Sequence, residues 1–156
     1  MCYNERMKIL IDADGCPVVN ITLQTAVEYH LKTMLFCDTS HEFRHQNVPV
    51  VTVDKGSDSA DFALLNEVAP GDIVVTQDYG LAAMVLAKRG LPITQNGKRI
   101  TNDNIDVLLL TRHAAKKARQ GGYRLKGPSK RTREQNQAFQ IALRRLIEDA
   151  HPHCTG

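Results

Sequence analysis

The chain has 156 residues, of which 42% are apolar and 24% charged, and its formal net charge is +3. These values predict one globular domain over 7–149, with a leader at 1–6 and a tail at 150–156. No stretch reaches the roughly 18–20 apolar residues of a membrane span. The polar start MCYNERMKIL lacks a signal-peptide core, so a cytoplasmic protein is predicted.

Strands and helices are predicted to alternate along the first part of the chain. MKILIDAD at 7–14 is a short aliphatic run closed by Gly15, which is the pattern of a buried parallel strand. Pro17 suits the first turn of a helix over 17–32, where apolar residues recur at near-helical spacing. The following elements are, in chain order, strands at 33–39 and 48–56, a helix at 57–71, a strand at 72–78 and a helix at 79–90.

The second part of the chain is predicted to be mostly helical. LPITQNGKRIT at 91–101 indicates a short strand and an Asn-Gly turn. An amphipathic helix over 104–122 ends at a glycine pair, and the Gly/Pro/Lys/Arg-rich segment 123–134 reads as a loop. A last helix at 133–150 has one apolar face, formed by Phe139, Leu143 and Leu146 or Ile147. This order of elements indicates an α/β fold with a mainly parallel sheet.

The four cysteines do not form a metal-binding pattern. No CxxC pair exists, and two of the four lie near the termini: Cys2, Cys16, Cys37 and Cys154. A zinc site or a disulfide framework is therefore not predicted. Cys16 lies next to acidic residues, but no base is obvious nearby, and a half-buried reduced thiol is favoured over a nucleophile.

Positive charge is concentrated in one part of the sequence. No Asp or Glu occurs from Val107 through Arg133. Three basic residues of the predicted helix share one face because they are four and three positions apart: Arg112, Lys116 and Arg119. Three more extend the charge into the loop, which would suit a mobile clamp on RNA or DNA phosphates: Lys130, Arg131 and Arg133. The alternative is a solvated basic surface with no ligand.

Carboxylates follow several of the predicted strands. Asp12 and Asp14 end the first strand, Asp54 ends the third and Asp78 ends the fourth. In open parallel sheets, ligands bind outside the carboxyl ends of the strands. We therefore expect these acids to meet at one edge of the sheet.

Two more acids lie at the start of the helix predicted over 57–71. Asp58 and Asp61 are three apart, so they can share one helical face. A cluster of this kind is unfavourable without a cation, and hard cations such as Mg²⁺ prefer oxygen ligands. Each acid also has a structural alternative: Asp78 or Asp58 can cap a helix, and Asp14 can form a turn. Asp12 has no such local role, which favours a metal site.

Several motifs resemble one known family. MKILIDADGCPV, GSDSADFALLNEVAPGDIVVTQDYGLAAMVLAKRG, NGKRITNDNID and GPSKRTREQNQAFQIAL occur in this order and look like the YaiI/YqxD family of uncharacterised bacterial proteins. The resemblance covers about residues 7–149. That family is grouped with the PIN-like nuclease superfamily, which implies a three-layer α/β/α fold and an acidic site holding Mg²⁺ or Mn²⁺ for phosphodiester hydrolysis.

The resemblance also implies roles for individual acids. Asp12 matches the first-strand Asp of the PIN-like pattern, Asp61 the mid-chain helical acid and Asp78 the late-strand Asp. Asp14 and Asp58 are additional acids nearby. The pattern often has a further Asp after the late-strand one, but residues 79–81 are Tyr, Gly and Leu. This departure puts the activity in question more than the fold.

Three functions remain open from the sequence. The first is a nuclease that uses Mg²⁺ or Mn²⁺ to hydrolyse RNA or DNA. The second is a non-catalytic protein that binds nucleic acid or a partner. The third is a phosphatase of the haloacid-dehalogenase type, with Asp12 as nucleophile, Asp14 as acid and base, and Thr76 binding the phosphoryl group. Nothing in the sequence specifies an oligomeric state or distinguishes RNA from DNA.

Overall fold

The computed structural model describes residues 7–38, 48–53, 59–122 and 130–150. In this part of the chain, strands and helices follow one another in the predicted order. They are β1 (Lys8–Asp12), α1 (Val19–Glu28), β2 (Lys32–Asp38), β3 (Val50–Val53), α2 (Ser59–Glu67), β4 (Ile73–Val75), α3 (Tyr79–Ala87), β5 (Leu91–Ile93), α4 (Ile105–Gln120) and α5 (Arg133–Ala150).

The strands form one parallel sheet in the spatial order β3-β2-β1-β4-β5. β1 therefore lies at the centre of the sheet, between β2 and β4. A strand in this position is covered on both faces, which explains the continuous aliphatic run in its sequence. Its three central side chains have no exposed surface: Ile9, Leu10 and Ile11.

Helices α1 and α5 cover one face of the sheet. Side chains alternate between the two faces of a strand, and Ile9 and Ile11 both join the apolar cluster on this face. α5 contributes the apolar face that the sequence predicts. All four of its residues are buried: Phe139, Leu143, Leu146 and Ile147.

Helices α2 and α3 cover the opposite face. Leu10 of β1 packs there with Leu64 of α2 and Leu81 of α3. α4 packs against α3 through Ile105 and Leu108. The two layers of helices around one parallel sheet confirm the three-layer α/β/α fold.

Several predicted elements are shorter in the structure. The helix predicted over 17–32 ends at Glu28, because His30 takes a positive φ of 57° that no right-handed helix accommodates. Lys32 then begins β2. At the other end of the chain, α5 ends at Ala150 as predicted for the last helix, so the predicted tail at 150–156 begins with the last residue of α5. The predicted leader at 1–6 and the rest of the tail lie outside the described residues. None of the described helices is long and apolar enough to cross a membrane.

Candidate active site

The ends of β1 and β4 bring Asp12 and Thr76 together. Ile11 of β1 is in register with Val75 of β4, so the residue that follows each one lies at the same edge of the sheet. The Thr76 hydroxyl donates a hydrogen bond to Oδ2 of Asp12 at 3.0 Å and accepts one from the Asp78 backbone N–H at 3.0 Å. Thr76 is 2% exposed. This buried hydroxyl therefore links two of the acids that the sequence singles out.

The environment of Asp12 changes the pKa of its carboxyl strongly. Burial raises its pKa from an ordinary 3.8 to about 6, and the hydrogen bond from Thr76 partly opposes that rise. Three other carboxylates also raise the pKa of Asp12 through their negative charge: Asp61, Asp14 and Asp78. Acids of separate segments thus act on Asp12 by their charge, and this repulsion favours a positive charge nearby.

Asp14 is oriented toward β2. Its two carboxylate oxygens accept the backbone N–H of Asp38, at 3.3 Å for Oδ1 and 3.0 Å for Oδ2. Asp14 and Gly15 lie in a turn, and Gly15 has a φ of +67°. The structural alternative for Asp14 is therefore confirmed, although its charge still acts on Asp12.

Asp78 caps α3, and Asp61 lies in the first turn of α2. Oδ1 of Asp78 accepts the Leu81 backbone N–H at 3.1 Å, which confirms the capping alternative. A cap of this kind leaves the second carboxylate oxygen able to bind another group. Asp61 is half-buried. Asp54 and Asp58 lie outside the described residues.

The described residues contain no group of three or more His, Cys, Asp or Glu side chains that could hold a metal ion. The predicted five-acid site of Asp12, Asp14, Asp58, Asp61 and Asp78 is thus not present as one ligand cage in this part of the chain. Mg²⁺ keeps several waters and is usually bound by one or two carboxylates together with substrate phosphates. A cation of that kind beside Asp12 would take only one or two ligands from these acids and the rest from water and substrate.

A pocket of about 90 Å³ opens beside Asp12. A pocket of this size has room for a hydrated ion or a phosphate group. The side chains that line it include those of Asp12, Asp14, Cys16, Thr76, Gln77 and Gln95. Burial raises the pKa of the Cys16 thiol. This shift supports a neutral thiol in the pocket wall rather than a nucleophile.

A larger cavity, of about 620 Å³, lies between α1 and the amino-terminal ends of β2 and β3. Its lining is mostly aliphatic and includes Leu23, Val27 and Met34. The charged groups that line it are Lys8 and Lys32. Among the described residues, no Asp, Glu, Cys or His lines this cavity.

Two glutamines that line the small pocket are each contacted by an arginine. Nη1 of Arg112 donates to the carbonyl oxygen of Gln77 at 3.3 Å, and Oε1 of Gln77 accepts the Gln95 N–H at 2.9 Å. Nη2 of Arg131 donates to the carbonyl oxygen of Gln95 at 2.7 Å. Gln77 and Gln95 were not predicted as site residues. The rule that ligands bind beyond strand ends indicates them, since they follow β4 and β5.

The basic residues differ in how they are held. Asn96, Asn136 and the Gln95 carbonyl all accept hydrogen bonds from the guanidinium of Arg131. Arg133 is the first residue of α5, as predicted for the last helix. The clamp on phosphates stays a prediction. Lys116 and Lys130 are exposed. Arg119 lies in α4, and its side chain is outside what the structure describes.

A buried acid at the amino-terminal ends of the strands was not predicted either. Asp72 has no exposed side-chain surface, and its Oδ2 lies 2.6 Å from Nζ of Lys8. It also accepts the backbone N–H groups of Lys8 and Ala69. These contacts give Asp72 a structural role that ties β1 to the segment before β4, far from the pocket.

Thr76→Val removes the hydroxyl that links Asp12 and Asp78 while keeping the shape of the side chain. We expect a loss of about 1–2 kcal/mol in the free energy of unfolding, because the Asp78 N–H loses its acceptor and Asp12 loses a donor. The pKa of Asp12 should rise further, since this hydrogen bond holds it down. Denaturant unfolding and a carboxyl NMR titration measure the two effects. Thr76→Ser restores the hydroxyl and should recover both values. Equal behaviour of the Val and Ser variants would show that the hydroxyl has no such role.

The chain belongs to the uncharacterised bacterial YaiI/YqxD family, whose model matches residues 10–149. A UPF0178 protein of Exiguobacterium sibiricum is 50% identical over 143 residues, which cover 92% of this chain and 98% of the relative. A UPF0178 protein of Clostridium acetobutylicum is 48% identical, with 90% and 97% covered. One of Lachnoclostridium phytofermentans is 44% identical, with 91% and 97% covered. No solved structure matches this chain.

Proposed function

We propose that this chain is a nuclease that depends on Mg²⁺ or Mn²⁺ and hydrolyses phosphodiester bonds of RNA or DNA at the pocket beside Asp12. The observation that carries the proposal is the environment of Asp12. Its half-buried carboxyl lies where the parallel strands end, is affected by the charges of three other acids, and lines a small pocket. Such a site attracts a cation and, through the cation, a phosphate.

Each acid has a role in this proposal. Asp12 binds the cation, with water completing its ligands, and Asp61 and Asp78 stabilise it by their negative charge, as Asp14 does from the β2 side. A divalent cation held here would neutralise phosphate charge and polarise the attacking water. Thr76 fixes Asp12 by its hydrogen bond, so the carboxylate need not reorganise when substrate binds.

The resemblance to PIN-like nucleases supports the same assignment. The positions that match the acids of the PIN-like pattern are Asp12, Asp61 and Asp78. Asp12 lies at the pocket, and the charges of Asp61 and Asp78 act on Asp12. The pattern's further Asp is absent at 79–81. Asp14 supplies a fourth negative charge near Asp12 from another direction.

The basic part of α4 supports a nucleic-acid substrate. Leu108 and Arg112 are one helical turn apart, so they lie on the same side of α4. Leu108 is buried against α3, and Arg112 reaches the pocket wall at Gln77. Lys116 lies one turn farther along and extends this positive row away from the pocket. RNA and DNA backbones bind such rows by phosphate contacts. A cytoplasmic location, where such substrates occur, completes the proposal.

The test is incubation of the purified chain with single- and double-stranded RNA and DNA in Mn²⁺, in Mg²⁺ and in EDTA. We expect cleavage with either cation and none in EDTA. An Asp12→Asn chain purified in parallel controls for contaminating nucleases. Absence of cleavage of all four substrates in both cations would contradict the proposal.

A second candidate is a non-catalytic protein that binds nucleic acid. The observation in its favour is that no three acids of the described residues converge on one ion position. This candidate gives salt-sensitive binding of RNA or DNA in the same assay, without cleavage in either cation.

A phosphatase is favoured by one contact only, the hydrogen bond between Thr76 and Asp12. In that reaction the Asp12 carboxylate attacks phosphorus, the ester P–O bond breaks, and Asp14 gives a proton to the leaving oxygen. Both oxygens of Asp14 instead accept the Asp38 N–H. Trapping of Asp12 by beryllium fluoride, an acyl-phosphate mimic, would support this candidate over the nuclease.

A further inference from the structure

A continuous series of hydrogen bonds crosses the mouth of the small pocket. It consists of the side chain of Arg112, the residues Gln77 and Gln95, and the side chain of Arg131, joined at 3.3, 2.9 and 2.7 Å. We call these four residues the arginine bracket. Because both glutamines line the pocket, the bracket places one guanidinium beside each of these two lining residues.

The two arginines approach from opposite faces of the sheet. Arg112 belongs to α4, which packs on α3. Arg131 lies just before α5, which packs with α1 on the other face. The line between the two guanidiniums therefore crosses the carboxyl edge of the sheet, where the pocket opens.

Both guanidiniums are held in place before any ligand binds. Arg112 lies over the ring of Tyr79, 5.7 Å from its centroid. Nε of Arg131 donates to Asn136 at 2.6 Å, and Nη1 donates to Asn96 at 3.1 Å. Within the described residues, neither guanidinium pairs with a carboxylate. Each has more N–H donors than these contacts use, and the planar group matches phosphate oxygens.

We propose that the arginine bracket binds a nucleic-acid backbone on both sides of the pocket, so that one strand crosses the sheet edge from the α3 and α4 face to the α1 and α5 face. Arg112 and Arg131 each take one phosphate, and the phosphate between them lies at the pocket. The proposal rests on the proposed function for the role of that central phosphate, but the binding itself requires neither a cation nor cleavage.

The test measures binding of a fluorescent single-stranded oligonucleotide to the full chain in EDTA over a range of salt concentrations. All variants carry Asp12→Asn, so that no cleavage occurs. Arg112→Gln and Arg131→Gln should each weaken binding and flatten the log–log salt slope by about 0.7, and the double variant by about 1.4. These changes should not depend on the base sequence of the oligonucleotide.

Two controls separate phosphate binding from other roles. Arg145→Gln removes an exposed charge on α5, about 20 Å along the helix from Arg131, and should leave the slope unchanged. Asn136→Ala removes one anchor of Arg131 but keeps its charge, so it should also keep the slope. If Arg131→Gln leaves the slope unchanged, or Asn136→Ala flattens it equally, the bracket is a structural feature only and the proposal fails.

Arg112→Gln keeps the proposal testable even if Arg131→Gln does not fold, because Arg112 is exposed on α4. An unchanged slope in Arg112→Gln would also overturn the bracket. The wild-type chain with Mn²⁺ is assayed for cleavage in parallel. Flattened slopes without cleavage would contradict the nuclease and support the bracket. Cleavage with unchanged slopes would support the nuclease and overturn the bracket.

Discussion

Replacing Asp12, Asp61 or Asp78 with Asn is expected to reduce Mn²⁺-dependent cleavage by about 10³-fold or more, to the level measured in EDTA. The three negative charges act together on one hydrated cation at Asp12, so losing one removes most of what all three contribute. The double and triple variants should therefore be little worse than the single ones. Initial rates on a labelled oligonucleotide measure these effects.

Two further variants serve as controls for this result. Asp106→Asn changes an exposed carboxyl on α4 and should leave the rate unchanged. Asp14→Asn should have a smaller effect, because the Asp14 oxygens are oriented toward the Asp38 N–H. If Asp78→Asn cleaves at the wild-type rate, Asp78 only caps α3 and its assignment to the site is wrong.

In the metal-free chain, Asp12→Asn is expected to raise the free energy of unfolding at pH 7–8 by about 2–3 kcal/mol. Burial raises the pKa of Asp12 from 3.8 to about 6, and each unit corresponds to about 1.4 kcal/mol. When folding raises the pKa of a carboxyl, its protonated form favours the folded state. This stabilisation is complete at pH values below the pKa that the carboxyl has in the unfolded chain. That contribution is lost as the pH rises through the folded pKa. Asn is neutral at every pH and does not undergo this loss.

The pH dependence tests this explanation directly. The difference in stability between Asp12→Asn and the wild type should be small near pH 4, grow between about pH 4 and 6, and stay constant above. At pH 7–8 it corresponds to about 5–10 °C in melting temperature. Thermal unfolding in EDTA at several pH values measures it. A difference that does not vary with pH would show that packing, and not the ionisation of Asp12, is responsible.

The order of the elements could be predicted because each has a local signal. The aliphatic run of β1 reports burial on both faces, and the apolar spacing in α5 matches the residues that are buried there. Asp12 could also be assigned to the sheet edge, since the fold class fixes where parallel strands end. The family that the sequence motifs resemble is the family to which the chain belongs.

The directions of side chains could not be predicted from the sequence. Whether Asp14 faces Asp12 or the end of β2 depends on a backbone N–H that lies 24 residues away. The fixed position of Arg131 depends on Asn96 and the Gln95 carbonyl, which come from the turn after β5. The same limit applies to Asp72, whose ion pair with Lys8 joins residues 64 positions apart. Such contacts arise only from the packed fold and leave no local pattern.

The proposed function depends on a divalent cation bound beside Asp12. Its most direct test is the melting temperature of the wild type and of Asp12→Asn in saturating Mn²⁺ and in EDTA at pH 7.5. At a hundred times the dissociation constant, Mn²⁺ should stabilise the wild type by about 2.7 kcal/mol, which is about 5–10 °C for a chain of this size. Asp12→Asn should lose most of this shift while melting higher than the wild type in EDTA. No shift in the wild type, or an equal shift in both proteins, would contradict a cation site at Asp12.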